Sequence, residues 1–241
     1  MKVTKVRGIV IKEFETKESD KRLLVMCKSL GRIMVYARGA KKPKSKFLPA
    51  SQLFAYSDFV LAEGPGFYSV TQADVIKSFY GVRLDYDTLM AAHLFAEICD
   101  KSTFSDAGLD ELLFLMLKSL SVLTKKSYPV NQVIIVFMLL ALNFHGLKPV
   151  TDVCTVCGKS AESIGVKMYF AGEGLICPVC ALSKKTVKIE PGSLAAVKHI
   201  LSNPLSDAFR FSVSEKILIN LKEVVFFLWN VHFDIKLLSV S

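Results

Sequence analysis

The sequence predicts a multidomain α+β protein: a small five-stranded barrel, then an all-α helical domain interrupted by a cysteine-rich insertion. Three observations predict it. Residues 3–78 alternate apolar and polar side chains in short runs separated by turn residues, with no helical period. From about Leu84 the apolar spacing changes to three and four residues. Four of the six cysteines fall between Cys154 and Cys180 as two Cys-x-x-Cys pairs. These changes divide the chain into residues 1–80 and 81–241, the second part interrupted by an insertion at 150–186.

Within the first part the candidate strands are Val3–Lys12, Lys21–Lys28, Arg32–Arg38, Gln52–Glu63 and Phe67–Ser78, with Gly31 and Gly64-Pro65-Gly66 as turns. Five strands in about 75 residues suit a closed barrel, of which the OB-fold is the commonest five-stranded form. A three-residue loop, Ser29 to Gly31, with Gly31 at positive φ, would set Lys28 opposite Arg32, Met26 opposite Met34, Leu24 opposite Tyr36 and Arg22 opposite Arg38. Alternation then sorts the hairpin into two faces. Leu23, Val25, Cys27, Ile33, Val35 and Ala37 form a core set, while Arg22, Lys28, Arg32, Tyr36 and Arg38 share the other face.

Net charge is +9, and its placement is uneven. Residues 1–80 carry 15 Lys/Arg against 7 Asp/Glu, residues 81–152 carry 6 against 8, and residues 153–241 carry 10 against 7. The hairpin is followed by GAKKPKSKF, which places Lys41, Lys42, Lys44 and Lys46 around Pro43 and closes on Phe47. Four lysines so close repel one another unless they are solvated or matched to phosphates, so this loop and the hairpin face are the candidate nucleic-acid contacts. The loop from Glu13 to Asp20 is acidic at four of eight positions, which argues against phosphate binding there.

The helical part begins with Tyr86–Lys101, with Leu89, Ala92, His93 and Ala96 on one stripe. Leu109–Thr124 follows, with Leu109, Leu112, Leu113, Met116, Leu117 and Leu120 on another. Pro129 opens a third helix through Val133 to Phe144 that is apolar all round and so expected to be buried; His145 is read as its C-terminal cap. A helix starts at Pro191 and stops near Asn203-Pro204, and the last one opens on a capping box, Ser212 with Glu215.

The two Cys-x-x-Cys pairs, CTVC and CPVC, are separated by nineteen residues. Each pair sets two thiolates on one turn, and this spacing is that of a tetrahedral four-cysteine zinc knuckle, closed to water and structural. The expected ligands of one Zn²⁺ are Cys154, Cys157, Cys177 and Cys180. A redox pair would need a strand–CxxC–helix context and a zinc deaminase an upstream His-x-Glu, and neither is present. Cys27 and Cys99 lie on apolar patterns and read as inert core thiols.

No P-loop, Gly-x-Gly-x-x-Gly after a strand, His-Glu-x-x-His or Gly-x-Ser-x-Gly occurs, so an enzyme is not expected. The longest apolar run, Val133–Leu142, is too short to span a bilayer, and MKVTKVRGIV lacks the parts of a signal peptide, so no membrane contact and a cytoplasmic location are expected. Three functions fit these features: a DNA-binding protein, an RNA-binding zinc protein such as a ribosome-associated factor, and an interaction scaffold whose basic face is incidental.

The order of parts, with ESDKRLLVMCKSLGRIMVYARGAKKPKSKF at the second and third strands and basic loop, GLKPVTDVCTVCG at the entry to the cysteine segment and HFDIKLLS near the C-terminus, resembles the RecO family of bacterial recombination mediator proteins. The resemblance implies a non-enzymatic role in DNA repair and homologous recombination. It implies binding of single- and double-stranded DNA, annealing of complementary strands, and work with a RecR-type protein to load recombinase onto strands coated by single-strand binding protein. It further implies a nucleoid-associated location and a contact between the helical domain and the acidic tail of single-strand binding protein, for which no residue is assigned. Some family members lack the cysteines, so zinc does not define the function.

Overall fold

The computed structural model describes residues 2–16, 19–28, 30–101 and 109–233. The chain divides into two compact units between Lys125 and Lys126. The first unit joins the barrel to two helices; the second holds the remaining helices and the cysteine segment.

Strands β1 (Val3–Phe14), β2 (Lys21–Cys27), β3 (Gly31–Ala37), β4 (Tyr56–Gly64) and β5 (Phe67–Lys77) close in the order β1-β2-β3-β5-β4. Every neighbouring pair is antiparallel except β3 and β5, which run parallel. This is the OB-type barrel that the strand count predicted. The long β1 makes closure possible, because it pairs with β2 through its second half and with β4 through its first. The core holds the six expected hairpin residues, Leu23, Val25, Cys27, Ile33, Val35 and Ala37, together with Val6, Val10, Phe59, Leu61 and Val70.

The hairpin register differs from expectation by two residues. Cys27 faces Gly31, Met26 faces Arg32, Leu24 faces Met34 and Arg22 faces Tyr36. Gly31 has the expected positive φ of 63°, but it pairs with Cys27 instead of lying in the loop, which begins at Lys28; Ser29 lies outside the described residues. A slip of two leaves every side chain on its face, because strand side chains alternate with period two. The fourth strand starts at Tyr56, not Gln52. Phe54 there adopts a φ of 67° and is fully buried, so the apolar content at 52–55 belongs to a turn that covers the barrel.

After a 3-10 turn at Tyr80–Arg83 come α1 (Tyr86–Lys101) and α2 (Leu109–Lys125). The buried face of α1 is Thr88, Ala91, Ala92, Phe95, Ile98 and Cys99 with Leu94 and Ala96, while Leu89 is half-buried and His93 exposed. The face is rotated from the expected stripe because small and branched residues, not His93, face the barrel and α2. In α2 all the expected core positions are buried except Leu117, which is half-buried.

The second unit is built on α3 (Val130–Phe144), whose every residue from Gln132 to Leu142 is buried. Helices α6 (Pro191–Ser202) and α7 (Glu215–His232) pack against it. The Trp229 indole N–H donates to the Met138 carbonyl (3.0 Å), which satisfies the one polar atom of a ring buried between α7 and α3. His145 occupies the C-cap of α3. The capping box is not formed: the N-cap position of α7 is Ser214, whose side chain makes no capping bond, and Ser212 lies outside it. Gln132 donates to the carbonyls of Phe209 (2.8 Å) and Phe211 (3.0 Å), which holds that stretch extended and delays the helix.

Between α3 and α6 lies the cysteine lobe: α4 (Ala161–Ile164), β6 (Met168–Ala171), β7 (Gly174–Ile176), α5 (Pro178–Ala181) and β8 (Val187–Ile189). Its three strands form a sheet of order β7-β6-β8. Among the described residues no helix is long and apolar enough to cross a membrane.

Candidate nucleic-acid interface and metal centre

Many of the cations in residues 1–80 are already engaged. Lys21 is buried and bonds Glu13 (2.9 Å) and the Ser51 carbonyl (3.2 Å). Arg7 makes a two-bond fork with Asp58 (2.7 and 2.9 Å), which holds that carboxyl below its ordinary range. Lys2 meets Glu63 (3.2 Å) and Lys12 meets Asp100 (2.6 Å). Among the described residues Arg38, Lys41, Lys42, Lys44 and Lys46 form no ion pair, and all five are exposed. Lys5, Lys28 and Lys77 are also exposed without an ion pair, but this loop holds the densest group of such cations.

That loop is a string of turns. Asp20 Oδ1 accepts from Gly39 N–H (2.6 Å), and Lys41 N–H donates to the Ser19 carbonyl (2.8 Å). Turn bonds then follow from Lys42 to Gly39, Ser45 to Lys42 and Leu48 to Ser45. Ala40 and Ala50 enter the barrel core and Phe47 packs against it. The loop is thus a lid on the barrel with its charged tips in solvent. Asp20 and Ser19, in the acidic loop before β2, thus fasten the lysine loop.

The hairpin's outer face is graded. At the turn end Arg32 donates to the carbonyls of Cys99 (3.2 Å) and Asp100, satisfying the C-terminal end of α1, and Met26 beneath it is fully buried. Lys28 lies 5.9 Å from the Phe114 ring of α2. At the far end Arg22 and Tyr36 stand opposite each other, half-buried. The nine candidate residues therefore fall into two groups: Arg32 and Lys28 face helices α1 and α2, while Arg22, Tyr36, Arg38 and the four lysines lie toward the opposite end.

The structure also brings in Phe14 and Phe67, which the sequence did not single out. The Arg22 guanidinium lies 4.7 Å from the Phe14 ring centroid, and Tyr36 meets Phe67 edge-on at 5.1 Å. Neither contact is visible in the spacing, because the partners come from different strands.

In the second unit the four cysteine Sγ atoms lie within 4.8 Å of one another. Cys154 and Cys177 are buried, Cys180 is half-buried and Cys157 exposed. The CTVC turn is closed by Gly158 N–H to the Cys154 carbonyl (2.9 Å) and Cys154 N–H to the Lys159 carbonyl (2.8 Å); CPVC opens α5, with Cys177 as N-cap. Cys177 N–H donates to Cys154 Sγ at 3.4 Å. Burial alone would raise the Cys154 thiol, but backbone N–H groups of Cys157, Cys177 and Val156 outweigh it and bring it down to about 6. Cys180, hydrogen-bonded to Cys177, is pushed up to about 12. By contrast, burial pushes Cys27 up to about 12.

A metal fits this donor set. A tetrahedron with ~2.3 Å metal–sulfur bonds has sulfur–sulfur edges of ~3.8 Å, and Cys157 Sγ stands 3.8 Å from Cys177 Sγ. The lobe is tied to the helices beside it. His232 and the Gly172 carbonyl are 2.7 Å apart, Lys198 pairs with Asp152 (2.7 Å), and Asn220 bridges Glu190 N–H (2.9 Å) and the Lys188 carbonyl (3.0 Å). Of the lobe's own lysines, Lys188 is paired with Glu190 (2.8 Å).

Comparison with known proteins matches this architecture along its length. The family described as "Recombination protein O N terminal" covers residues 1–79, and "Recombination protein O C terminal" covers residues 83–240. The chain belongs to the RecO family. A DNA repair protein RecO from Acetivibrio thermocellus is 35% identical over 227 residues, 93% of this chain and 89% of its own. RecO proteins from Alkaliphilus metalliredigens and Clostridium acetobutylicum are each 27% identical, over 95% and 90% of this chain and 94% and 87% of their own. The two RecO family segments meet near residue 80, whereas packing divides the chain at Lys125, because α1 and α2 pack with the barrel.

Proposed function

We propose that this RecO-family protein is a non-enzymatic mediator of DNA repair and homologous recombination. It binds single- and double-stranded DNA, anneals complementary strands, and works with a RecR-type partner to load recombinase onto single strands coated by single-strand binding protein, whose acidic tail it contacts. Its place is the bacterial cytoplasm, at the nucleoid. Family membership supports the repair role, and one structural observation supports DNA as the ligand: Arg38, Lys41, Lys42, Lys44 and Lys46, which form no ion pair among the described residues, lie exposed together on one stretch of nine residues. Lysines on exposed tips neutralise phosphates without reading bases, which leaves bases free to exchange partners during annealing.

The four cysteines hold one structural Zn²⁺ in this reading. With all four positions taken by sulfur, the metal keeps no open site and supplies cross-linking, not catalysis. Competition between matched single-stranded DNA and RNA, followed by an annealing assay on complementary DNA strands, tests the reading. Preferred binding and accelerated annealing of DNA support it; tighter binding of RNA without annealing replaces it with an RNA-binding role.

A further inference from the structure

The far end of the hairpin face carries a row of four side chains drawn from four strands. Phe14 on β1 pairs in register with Arg22 on β2, and Arg22 pairs with Tyr36 on β3. Tyr36 pairs in turn with Ser69 on the parallel β5, two residues beyond Phe67 on the same face. The row is two contacting pairs set side by side in register: Arg22 lies over the Phe14 ring at 4.7 Å and Tyr36 meets Phe67 edge-on at 5.1 Å. It faces outward, since Leu23, Val35 and Tyr68, the neighbours of its members, point to the core or pack against it. Phe67 is seated by the missing side chain of Gly64, where a Cβ would lie 3.1 Å from the ring.

We infer that Phe14, Arg22, Tyr36 and Phe67 form a base-stacking platform for single-stranded DNA. The inference rests on the proposed DNA binding and names the site and the part of the ligand that it takes. All four side chains are half-buried, so their edges are held by packing while part of each remains open to solvent. The row supplies three rings and a guanidinium, and nucleobases stack on aromatic and Arg planes without regard to sequence. Charge complements this: Arg38 follows Tyr36 by two residues, and the lysine loop leaves the same end of β3. The phosphates of a strand whose bases lie on the row thus have cations beside them. Double-stranded DNA keeps its bases inside the helix and has only the cations to use, so the row separates the two ligands.

The test compares a labelled oligo-dT with an oligonucleotide of equal length in which several central nucleotides are abasic, each titrated over a range of salt. The wild-type full chain is expected to prefer the oligo-dT by roughly tenfold or more. Phe67→Leu, which retains apolar volume, and Phe14→Leu should each reduce that preference by severalfold while the salt slope, which counts phosphate contacts, stays unchanged. If the wild type binds both oligonucleotides equally, or the Leu variants retain the full preference, the platform is overturned and the loop alone carries binding. If the wild type binds neither oligonucleotide, the DNA-binding reading itself fails.

Discussion

Asp20 Oδ1 accepts a 2.6 Å hydrogen bond from the backbone N–H of Gly39, fastening the head of the lysine loop to the loop that precedes β2. The bond gives an acidic residue next to a basic surface a structural purpose. Asp20→Ala is expected to destabilise the protein by about 1.5–3 kcal/mol, the range for a hydrogen bond to a charged group. Faster amide exchange at Gly39 to Lys42, measured in the folded protein, would locate the effect. Equal exchange in both proteins would show that the turns hold the loop without Asp20.

Removing the four loop charges should act on binding and not on folding. Lys41, Lys42, Lys44 and Lys46 are exposed, and replacing all four with Ala should leave the melting temperature nearly unchanged. Each lost phosphate contact lowers the salt slope for single strands by about 0.7, so a fall approaching 3 is expected if all four engage. An unaltered slope removes the loop from the interface.

Metal removal should loosen the second unit. The lobe meets the end of α7 through His232 and Gly172, three residues beyond Trp229, the chain's one tryptophan. Chelation, or Cys154→Ser, should shift the emission of Trp229 to the red, because the indole now packed on Phe233 at 4.4 Å becomes wetter. DNA binding through the barrel should persist. Loss of that binding along with the metal would make the lobe a contact surface.

The six cysteines should react in two classes. Native metal-bound protein should resist alkylation at neutral pH. After chelation the lobe's thiols should react ahead of the core ones, led by Cys154, which is brought down to about 6 and loses its protection with the metal, and by Cys157, which is exposed. Cys27, pushed up to about 12 by burial, and Cys99, fully buried, should react only on unfolding. Mass spectrometry of the alkylated peptides checks the order.

Gly174 should not tolerate a side chain. It has a φ of 135°, and a Cβ there would lie 2.3 Å from the Val150 carbonyl oxygen, inside the bridge that joins the lobe's sheet to the segment leaving α3. Gly174→Ala is expected to cost more than ~1 kcal/mol, measured by denaturant unfolding of the metal-bound protein.

Where the physics is local, the structure was legible beforehand. Leu23, Val25, Cys27, Ile33, Val35 and Ala37 alternate with polar neighbours, and that parity alone assigned them to the core. Because parity survives a two-residue slip, the faces were right while the opposite partners were not. The four-cysteine cluster was legible for a similar reason, as two tight turns with a short intervening segment can bring the thiols together. The buried face of α1 was less so: His93 fits the helical period as well as Phe95 does, and only the barrel and α2 decide which is covered.

The sequence by itself determined the strand faces, the helices, the cysteine set and the excess of cations in the first third, since each depends on spacing along a few residues. Tertiary structure decided which of those cations remain available. Lys21 disappears into a buried pair with Glu13 and Arg32 serves the carbonyls at the end of α1, while Arg38 and the loop lysines stay exposed. It also assembled Phe14, Arg22, Tyr36 and Phe67 into one row. Closing the barrel brings β5 alongside β3 in parallel, a neighbour that no local period encodes, because strand pairing across a long loop depends on the whole core that it encloses.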